Sequence, residues 1–331
     1  MRTRTFGATD LQCSEIGFGT WALGSTWWGE VTRDKGKNLL ARALDLGVTF
    51  FDTGNVYGSG MNEEIVGKAL GEAPREAIQL SSKFGYVLDE GRLEHSQGER
   101  PQDWSPAHIR RSLEQSLQRL GTDYLDLYQL HNPRMDAVLD DELFGELEAL
   151  RAEGKIRHYG VALGPAIGWR EEGLQAIESR RITSVQTVYN VLEQDPGRDF
   201  LAAAEQKGIG VMARVPTSSG LLEDKYTPET TFPKHDHRSH RPREWLIEGL
   251  QKIERLRFLC EEHDMTLAQA ALKFILAQPG IACVLPTVTS ESDLKEWAAA
   301  SDNPDLTAAD LARIGELYER NFDVEPLVPQ T

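Results

Sequence analysis

Apolar positions fall into short runs separated by stretches of helical spacing. Eight runs stand out: Glu15–Gly19, Gly47–Phe51, Ala77–Leu80, Tyr124–Leu130, Ile156–Ala162, Ser184–Tyr189, Ile209–Val215 and Ile281–Leu285. β-Branched and aromatic residues dominate most of them, and Gly or Pro often bounds them, which predicts strands. Between them the period lengthens. Ile109, Leu113, Leu117 and Leu120 recur every three or four residues behind Ser105-Pro106 and stop at Gly121. That predicts a helix with a serine cap, a proline in its first turn and a glycine stop. Thr266 and Gln269 form a capping-box pattern ahead of Leu267, Ala270, Ala271, Phe274 and Ile275. The spacing predicts further helices over 33–46, 61–70, 141–153, 169–179, 198–207, 245–263 and 307–319.

Strands that alternate with helices pair in parallel through crossover connections. Eight such units in 331 residues predict a closed (β/α)8 TIM barrel, because an open sheet that wide is unusual. Arg4-Thr5-Phe6 and Leu11-Gln12-Cys13 flank Gly7-Ala8-Thr9-Asp10 and predict a β-hairpin capping the barrel bottom. Long loops at 84–104 and 216–244 belong to the top face. No linker composition interrupts the chain, so residues 1–331 are expected to form a single domain.

Charge narrows the partners. Thirty-six basic against 52 acidic side chains leave a net charge of −16, which argues against nucleic acid or anionic lipid as the main partner. No apolar run approaches the roughly 18 residues of a membrane-spanning helix, and no apolar segment follows MRTRTFGATD as a leader would require. Cys13, Cys260 and Cys283 are few, distant and odd in number, which fits reduced thiols in the cytoplasm better than disulfides or a zinc site. The sequence leaves the oligomeric state open.

In a barrel of this kind chemistry collects at the C-terminal ends of the strands. Strand two ends in Asp52-Thr53, with Tyr57 five residues beyond Asp52. Strand three ends in Ser81-Ser82-Lys83 and strand four in His131-Asn132-Pro133; Gln186 and Arg214 lie at later strand ends. An acid, a tyrosine, a lysine and a histidine thus converge on one rim. An ion pair closing the barrel explains one such residue, but not four of different chemistry in consecutive units. A lysine ammonium stabilises a neighbouring phenolate, a carboxylate holds that lysine charged, and a neutral imidazole orients a carbonyl oxygen. Together they can protonate an oxygen becoming an alkoxide, general-acid help worth about 10²- to 10⁴-fold in rate. No side chain delivers hydride, so a nicotinamide cofactor is implied.

The same residues carry a resemblance. Glu15-Ile16-Gly17-Phe18-Gly19-Thr20-Trp21, Phe51-Asp52-Thr53 with Tyr57-Gly58, and Leu127-Tyr128-Gln129-Leu130-His131-Asn132-Pro133 resemble the signatures of the aldo-keto reductases over nearly the whole chain. Ser219-Gly220-Leu221-Leu222 with Lys225-Tyr226 resembles the bacterial branch. The resemblance implies reversible NAD(P)H-dependent reduction of an aldehyde or ketone, with Tyr57, Asp52, Lys83 and His131 as the catalytic set and Tyr57 as proton donor. It implies cofactor contacts from Thr20 and Trp21 on the rim, Asp52, Gln186 on the carboxamide, Arg214 stacked on the nicotinamide, and a pyrophosphate loop of Val215, Pro216, Thr217, Ser219, Gly220 and Leu221. Lys225 and Arg238 are the basic candidates for the phosphates. Thr287, Thr289, Ser290 and Asp293 stand where the family often carries Gly and a basic residue for the ribose 2′-phosphate. NADP(H) is expected to be slightly preferred over NAD(H). The family's Ser-Asn pair after strand five is replaced here by Ala162-Leu163.

Gly17-Phe18-Gly19-Thr20-Trp21-Ala22 fits a dinucleotide-binding fingerprint, but loop residues follow it where a helix is required. His235, His237 and His240 with Asp236 could bind a metal; they are read instead as a solvated loop, and no metal is expected. Trp21, Trp27, Trp28, Phe84 and Trp104 are expected near the top face, with Trp21, Trp28, Phe84 and Asn132 as substrate contacts. Two other classes compete. A glycosidase needs two carboxylates across a sugar, and only Asp52 is evident. A non-catalytic, cofactor-binding barrel subunit is the other.

Overall fold

Ten strands and the helices between them follow the predicted alternation in a computed structural model that describes residues 1–24, 28, 29, 31–88, 100–164 and 169–327. The antiparallel pair β1 (Thr3–Thr5) and β2 (Gln12–Ser14) is the expected hairpin. The barrel strands are β3 (Phe18–Gly19), β4 (Phe50–Asp52), β5 (Gln79–Phe84), β6 (Leu125–His131), β7 (Ile156–Ala162), β8 (Ser184–Val188), β9 (Gly210–Arg214) and β10 (Ile281–Leu285). Each pairs in parallel with the next, and the bridges Ile16–Val284 and Gly19–Thr287 join β10 back to the first strand. The barrel is therefore closed. The predicted strand over 15–19 is shorter because its first residues reach β10 alone, through Gly17 N to Val284 O and Val284 N to Glu15 O, each 2.9 Å.

Alternation along each strand separates two apolar layers. Outward-facing Phe51, Leu80, Tyr128, Val161, Val185 and Val211 pack in the large core shared with the helices. Phe50, Leu127, Met212, Cys283 and Leu285 belong to a second cluster together with Phe6, Leu11 and Cys13 of the hairpin. Phe6 plugs the barrel bottom, its ring centroid 5.3 Å from that of Phe50. The hairpin turn closes on the end of the Gly197–Lys207 helix: Ala8 N donates to Gly208 O at 2.8 Å. Gly7, at φ +51°, has no room for a Cβ, which would stand 2.1 Å from that same oxygen.

Most helices begin and end where their capping residues predict. Ser105 accepts from His108 N, and Gly121 stops the Pro106–Leu120 helix at φ +69°. Thr266 and Gln269 make both bonds of the capping box. The predicted helix over 245–263 is two, Arg243–Glu254 and Phe258–His263. A three-residue turn between them, with Leu256 N bonded to Ile253 O, folds Leu256 fully into the core. A helix at Glu291–Ala300 was not anticipated, although Ser290 caps it and Leu294, Trp297 and Ala298 supply its buried face. Among the described residues no helix is long and apolar enough to cross a membrane.

Candidate active site

The period-two rule that buries Phe50 and Leu127 also turns the next residues inward, one layer higher. Asp52 follows Phe50 on β4, and Gln129 and His131 follow Leu127 on β6. Ser81 and Lys83 share this face on β5. Register aligns them: Asp52 lies opposite Ser81, Lys83 opposite Gln129, His131 opposite Ala162, and Ala162 opposite Gln186. A ring of polar groups thus stands on the apolar plug.

Lys83 has no solvent exposure. Its Nζ donates to Asp52 Oδ2 at 2.5 Å and to Thr53 O at 2.7 Å. The other Asp52 oxygen accepts from Ser81 Oγ at 2.9 Å and Gln129 Nε2 at 3.0 Å. Neither supporting residue was singled out from the sequence, though both lie on the inward face of their strands. Burial opposes a charged Lys83, but the Asp52 carboxylate and then Tyr57 overcome it and raise the lysine above its ordinary pKa. It remains an ammonium.

Tyr57 reaches this pair from the turn after β4. Its amide donates to Gly54 O at 3.0 Å, and Gly58, Ser59 and Gly60 follow at φ +56°, +52° and +94°. Lys83 Nζ lies 4.9 Å from the Tyr57 ring centroid. The His131 ring stands edge-on to that phenol, 5.7 Å between centroids. Gln102 Nε2 holds the backbone here, donating to the carbonyls of His131 at 2.9 Å and Asn132 at 3.2 Å. The four expected catalytic residues therefore meet in one place.

Burial, and then the positive charges of Lys83 and Arg214, push the His131 imidazole well below the usual histidine pKa. Its Nδ1 is buried with no hydrogen-bond partner. Because the neutral form persists above that lowered pKa, the imidazole is uncharged across the mildly acidic range. The expected pH profile of kcat/KM carries no step from His131 between about pH 5.5 and 7.5, although a free histidine titrates near 6.5. A step in that window that disappears in His131→Gln would show that the imidazolium is used.

Above these groups opens a cavity of about 700 Å³. Thr20, Trp21, Asp52, Gln186, Arg214, Val215, Thr217, Ser219, Lys225, Arg238, Thr287, Thr289 and Asp293 line it, as do the expected substrate contacts Trp28 and Asn132. Five expected contacts do not. Phe84 is fully buried, stacked on Tyr128 at 4.4 Å and edge-on to Trp104; as the residue after inward Lys83 it faces the helix layer. Pro216 is buried outside the lining. Leu221 is buried against Gly249. Gly220, at φ +92°, makes room for the Tyr226 hydroxyl, which a Cβ would approach to 2.3 Å. Ser290 caps the helix that carries Asp293. Trp27 lies outside the described residues.

The lining suits a dinucleotide carrying a carboxamide. Gln186 Nε2 and Thr20 Oγ1 are buried without partners, an arrangement that costs free energy unless a ligand completes it. Ala162 and Leu163 supply no polar side chain there, and Arg214 Nη2 donates to the Leu163 carbonyl at 2.9 Å. Val215, Ser218 and Ser219 take φ values of +57°, +48° and +57°. Such backbone is strained for a β-branched valine, and successive turns of this kind gather amide groups into an anion-binding hollow.

Both expected phosphate-binding cations are already paired. Lys225 Nζ donates to Asp293 Oδ1 at 2.8 Å and Glu223 Oε2 at 3.0 Å. Arg238 forks onto Asp236 and donates to Tyr226 Oη at 2.6 Å. Tyr226 carries part of the resemblance but was given no site role, and Glu223 was missed in the sequence, as was Glu193, which accepts from Asn190 and Ser218. The histidine loop is also corrected. His237 is half-buried and edge-on to Trp21 at 5.1 Å, lining the cavity rather than lying in solvent. Phe18–Gly19 is strand, and no helix begins before Arg33 among the described residues, so the dinucleotide fingerprint there is a coincidence.

Comparison with known proteins agrees with this geometry. The chain is 31% identical over 316 residues to the uncharacterized oxidoreductase YqkF of Bacillus subtilis, covering 94% of each. It is 30% identical to the NADH-specific methylglyoxal reductase of Escherichia coli, covering 96% of this chain and 99% of that one. The structure of the glycerol dehydrogenase AKR11B4 from Gluconobacter oxydans superposes with a TM-score of 0.80 at 28% identity, covering 99% of this chain and 98% of that one. A sequence profile described as the Aldo/keto reductase family matches residues 15–319. The chain belongs to the aldo/keto reductase family, oxidoreductases that act on carbonyl groups with NAD(P).

Proposed function

We propose that this enzyme reduces a small aldehyde or ketone, reversibly, with Tyr57 as the proton donor. The observation that carries the reading is the buried Lys83–Asp52 pair beneath Tyr57, with a neutral His131 beside it at the floor of the cavity. A nicotinamide cofactor, when bound, supplies the hydride. Gln186 and Thr20 would hold its carboxamide, Arg214 its ring, and Val215, Thr217 and Ser219 its pyrophosphate. His131 orients the substrate oxygen by donating a hydrogen bond, and the Tyr57 hydroxyl gives it a proton. The Lys83 ammonium stabilises the phenolate left behind, while Ser81 and Gln129 keep Asp52 aligned to hold the lysine. The chain works as one barrel domain over 1–331. The unpaired Cys13, Cys260 and Cys283 support a reducing, cytoplasmic setting.

The cofactor's adenosine end follows from charge. The sequence leaned to NADP(H), yet Lys225 is shared by two carboxylates and Arg238 is neutralised by a third. A 2′-phosphate there gains little from cations already paired and meets Asp293 and Glu223. NADH is therefore used at least as well as NADPH. The experiment mixes the enzyme with each dinucleotide and a panel of aldehydes and follows the loss of nicotinamide absorbance. No consumption with any aldehyde would remove the carbonyl-reductase reading. Asp293→Ala, which removes one of the two carboxylates on Lys225 and leaves Glu223, is expected to raise the NADPH-to-NADH ratio of kcat/KM by about tenfold, the scale of one charge-assisted hydrogen bond. An unmoved ratio would remove Lys225 and Asp293 from the choice of cofactor.

A further inference from the structure

The cavity's charges divide into two groups. Lys225 and Arg238, the latter stacked 4.6 Å over the Trp28 ring, have carboxylate partners within 2.6–3.0 Å. The lining also includes Arg100, Arg214 and Arg241. Among the described residues none of these three forms an ion pair with a carboxylate. Arg214 is engaged by the Leu163 carbonyl, whereas Arg100 and Arg241 have no hydrogen-bond acceptor there.

Local structure ties both to segments that carry the catalytic groups. Arg100 precedes Pro101, whose carbonyl accepts from Val87 N at 2.9 Å, and Gln102, whose side chain grips the His131 and Asn132 carbonyls. It is thus tied to the catalytic histidine by two residues of chain. Its Nη1 is buried without a partner, and so is the Nε1 of Trp28 across the same cavity. Arg241 acts electrostatically on His237, whose ring meets Trp21 edge-on. Trp21 follows Thr20, whose amide is bonded to Asp52 O at 3.0 Å. Largely desolvated, and next to His240 and Arg241, His237 is held neutral down to about pH 4, so the surplus of positive charge in the lining rests on Arg100, Arg214 and Arg241, of which Arg100 and Arg241 have no acceptor among the described residues.

We propose that the carbonyl substrate carries an oxyanion, a carboxylate or phosphate, received by Arg100 and Arg241 between the apolar walls of Trp21 and Trp28. A half-buried guanidinium without an acceptor loses solvation that a ring contact, such as that of Arg241 with Trp245 at 5.3 Å, does not replace as hydrogen bonds; a bidentate oxyanion restores those bonds in their preferred geometry. A neutral carbonyl compound leaves both unpaired. The inference rests on the carbonyl-reductase reading and adds the substrate's charge to it.

The test uses two matched pairs under saturating dinucleotide: 4-oxobutanoate against its methyl ester, and glyceraldehyde 3-phosphate against glyceraldehyde. The expected result is a kcat/KM about 10- to 100-fold higher for the charged member of at least one pair, seen chiefly in KM. Which pair shows it tells carboxylate from phosphate. Arg241→Gln and Arg100→Gln should each shrink that ratio at least several-fold while the Kd of the dinucleotide stays within about twofold. Turnover of the neutral members with no charge preference in either pair would overturn the anionic substrate and leave the carbonyl reductase standing. No turnover of any of the four would count against both. Substitutions that weaken dinucleotide binding instead of the charge ratio would reassign the arginines to the cofactor and overturn the proposal.

Discussion

Tyr57→Phe is expected to lower kcat by about 10²- to 10⁴-fold, the usual contribution of a positioned general acid, with dinucleotide Kd nearly unchanged. The substitution removes one oxygen and keeps the ring. Its edge contact with His131 and its position by Lys83 are ring contacts that phenylalanine can retain. The Lys83–Asp52 pair keeps its hydrogen bonds with Thr53, Ser81 and Gln129 without the phenol, although the lysine loses the Tyr57 oxygen. What disappears is the proton delivered as charge builds on the substrate oxygen. That interaction belongs to the transition state, so kcat and kcat/KM should fall together. Stopped-flow absorbance under single-turnover conditions measures the chemical step directly, and quenching of tryptophan fluorescence reports cofactor binding through Trp21 and Trp28 in the cavity wall. A kcat within tenfold of the parent would transfer the proton's origin to another group, with His131 the nearest candidate.

The barrel and its catalytic floor were legible because their signals are local and repeated. Strand β7 and strand β10 run over the residues their β-branched runs predict, and helix 61–70 begins and ends as its spacing requires. Asp52, Lys83 and His131 fall at strand ends, where barrel geometry alone makes them converge. Gln129 and Ser81 were equally inward but chemically plain, so nothing in the sequence raised them above other strand residues. The loops were harder. Phe84 has the composition of a pocket aromatic, and only its place one residue after inward Lys83 reveals that it points to the helices. Gly220 and Ser290 sit among residues that do line the cavity, yet one clears space for Tyr226 and the other caps a helix. Periodicity cannot see such roles, because they depend on which segment folds back against which. Likewise, the pairing of Lys225 with Asp293 spans 68 residues and changes the meaning of both. Lys225 alone reads as a phosphate contact; beside Asp293 its charge is already matched.

Lys83→Met should damage both folding and turnover, and the two losses can be separated. The lysine is completely buried, and Asp52 is nearly so. Removing the ammonium leaves a carboxylate with two neutral donors and no countercharge, a change that costs about 3–5 kcal/mol in buried pairs. The denaturant midpoint should drop accordingly, with a slope that is unchanged if the unfolded surface is the same. Turnover should fall at least about 10²-fold, because the phenolate that Tyr57 must become loses the charge that stabilises it. In Asp52→Asn/Lys83→Met the stranded charge is gone as well, and the asparagine oxygen still accepts from Ser81 and Gln129. Much of the lost stability should return, since the two sites touch and their effects are not additive. Turnover should not return, because no ammonium stands beside the phenol. Recovery of both would make the pair a structural bridge only, while a single variant as stable as the parent would mean that Asp52 escapes its unpaired charge by taking up a proton. The combination of regained stability and absent turnover is the outcome that assigns the lysine's charge to chemistry, because folding then needs only that the two buried charges cancel, whereas catalysis needs the positive one.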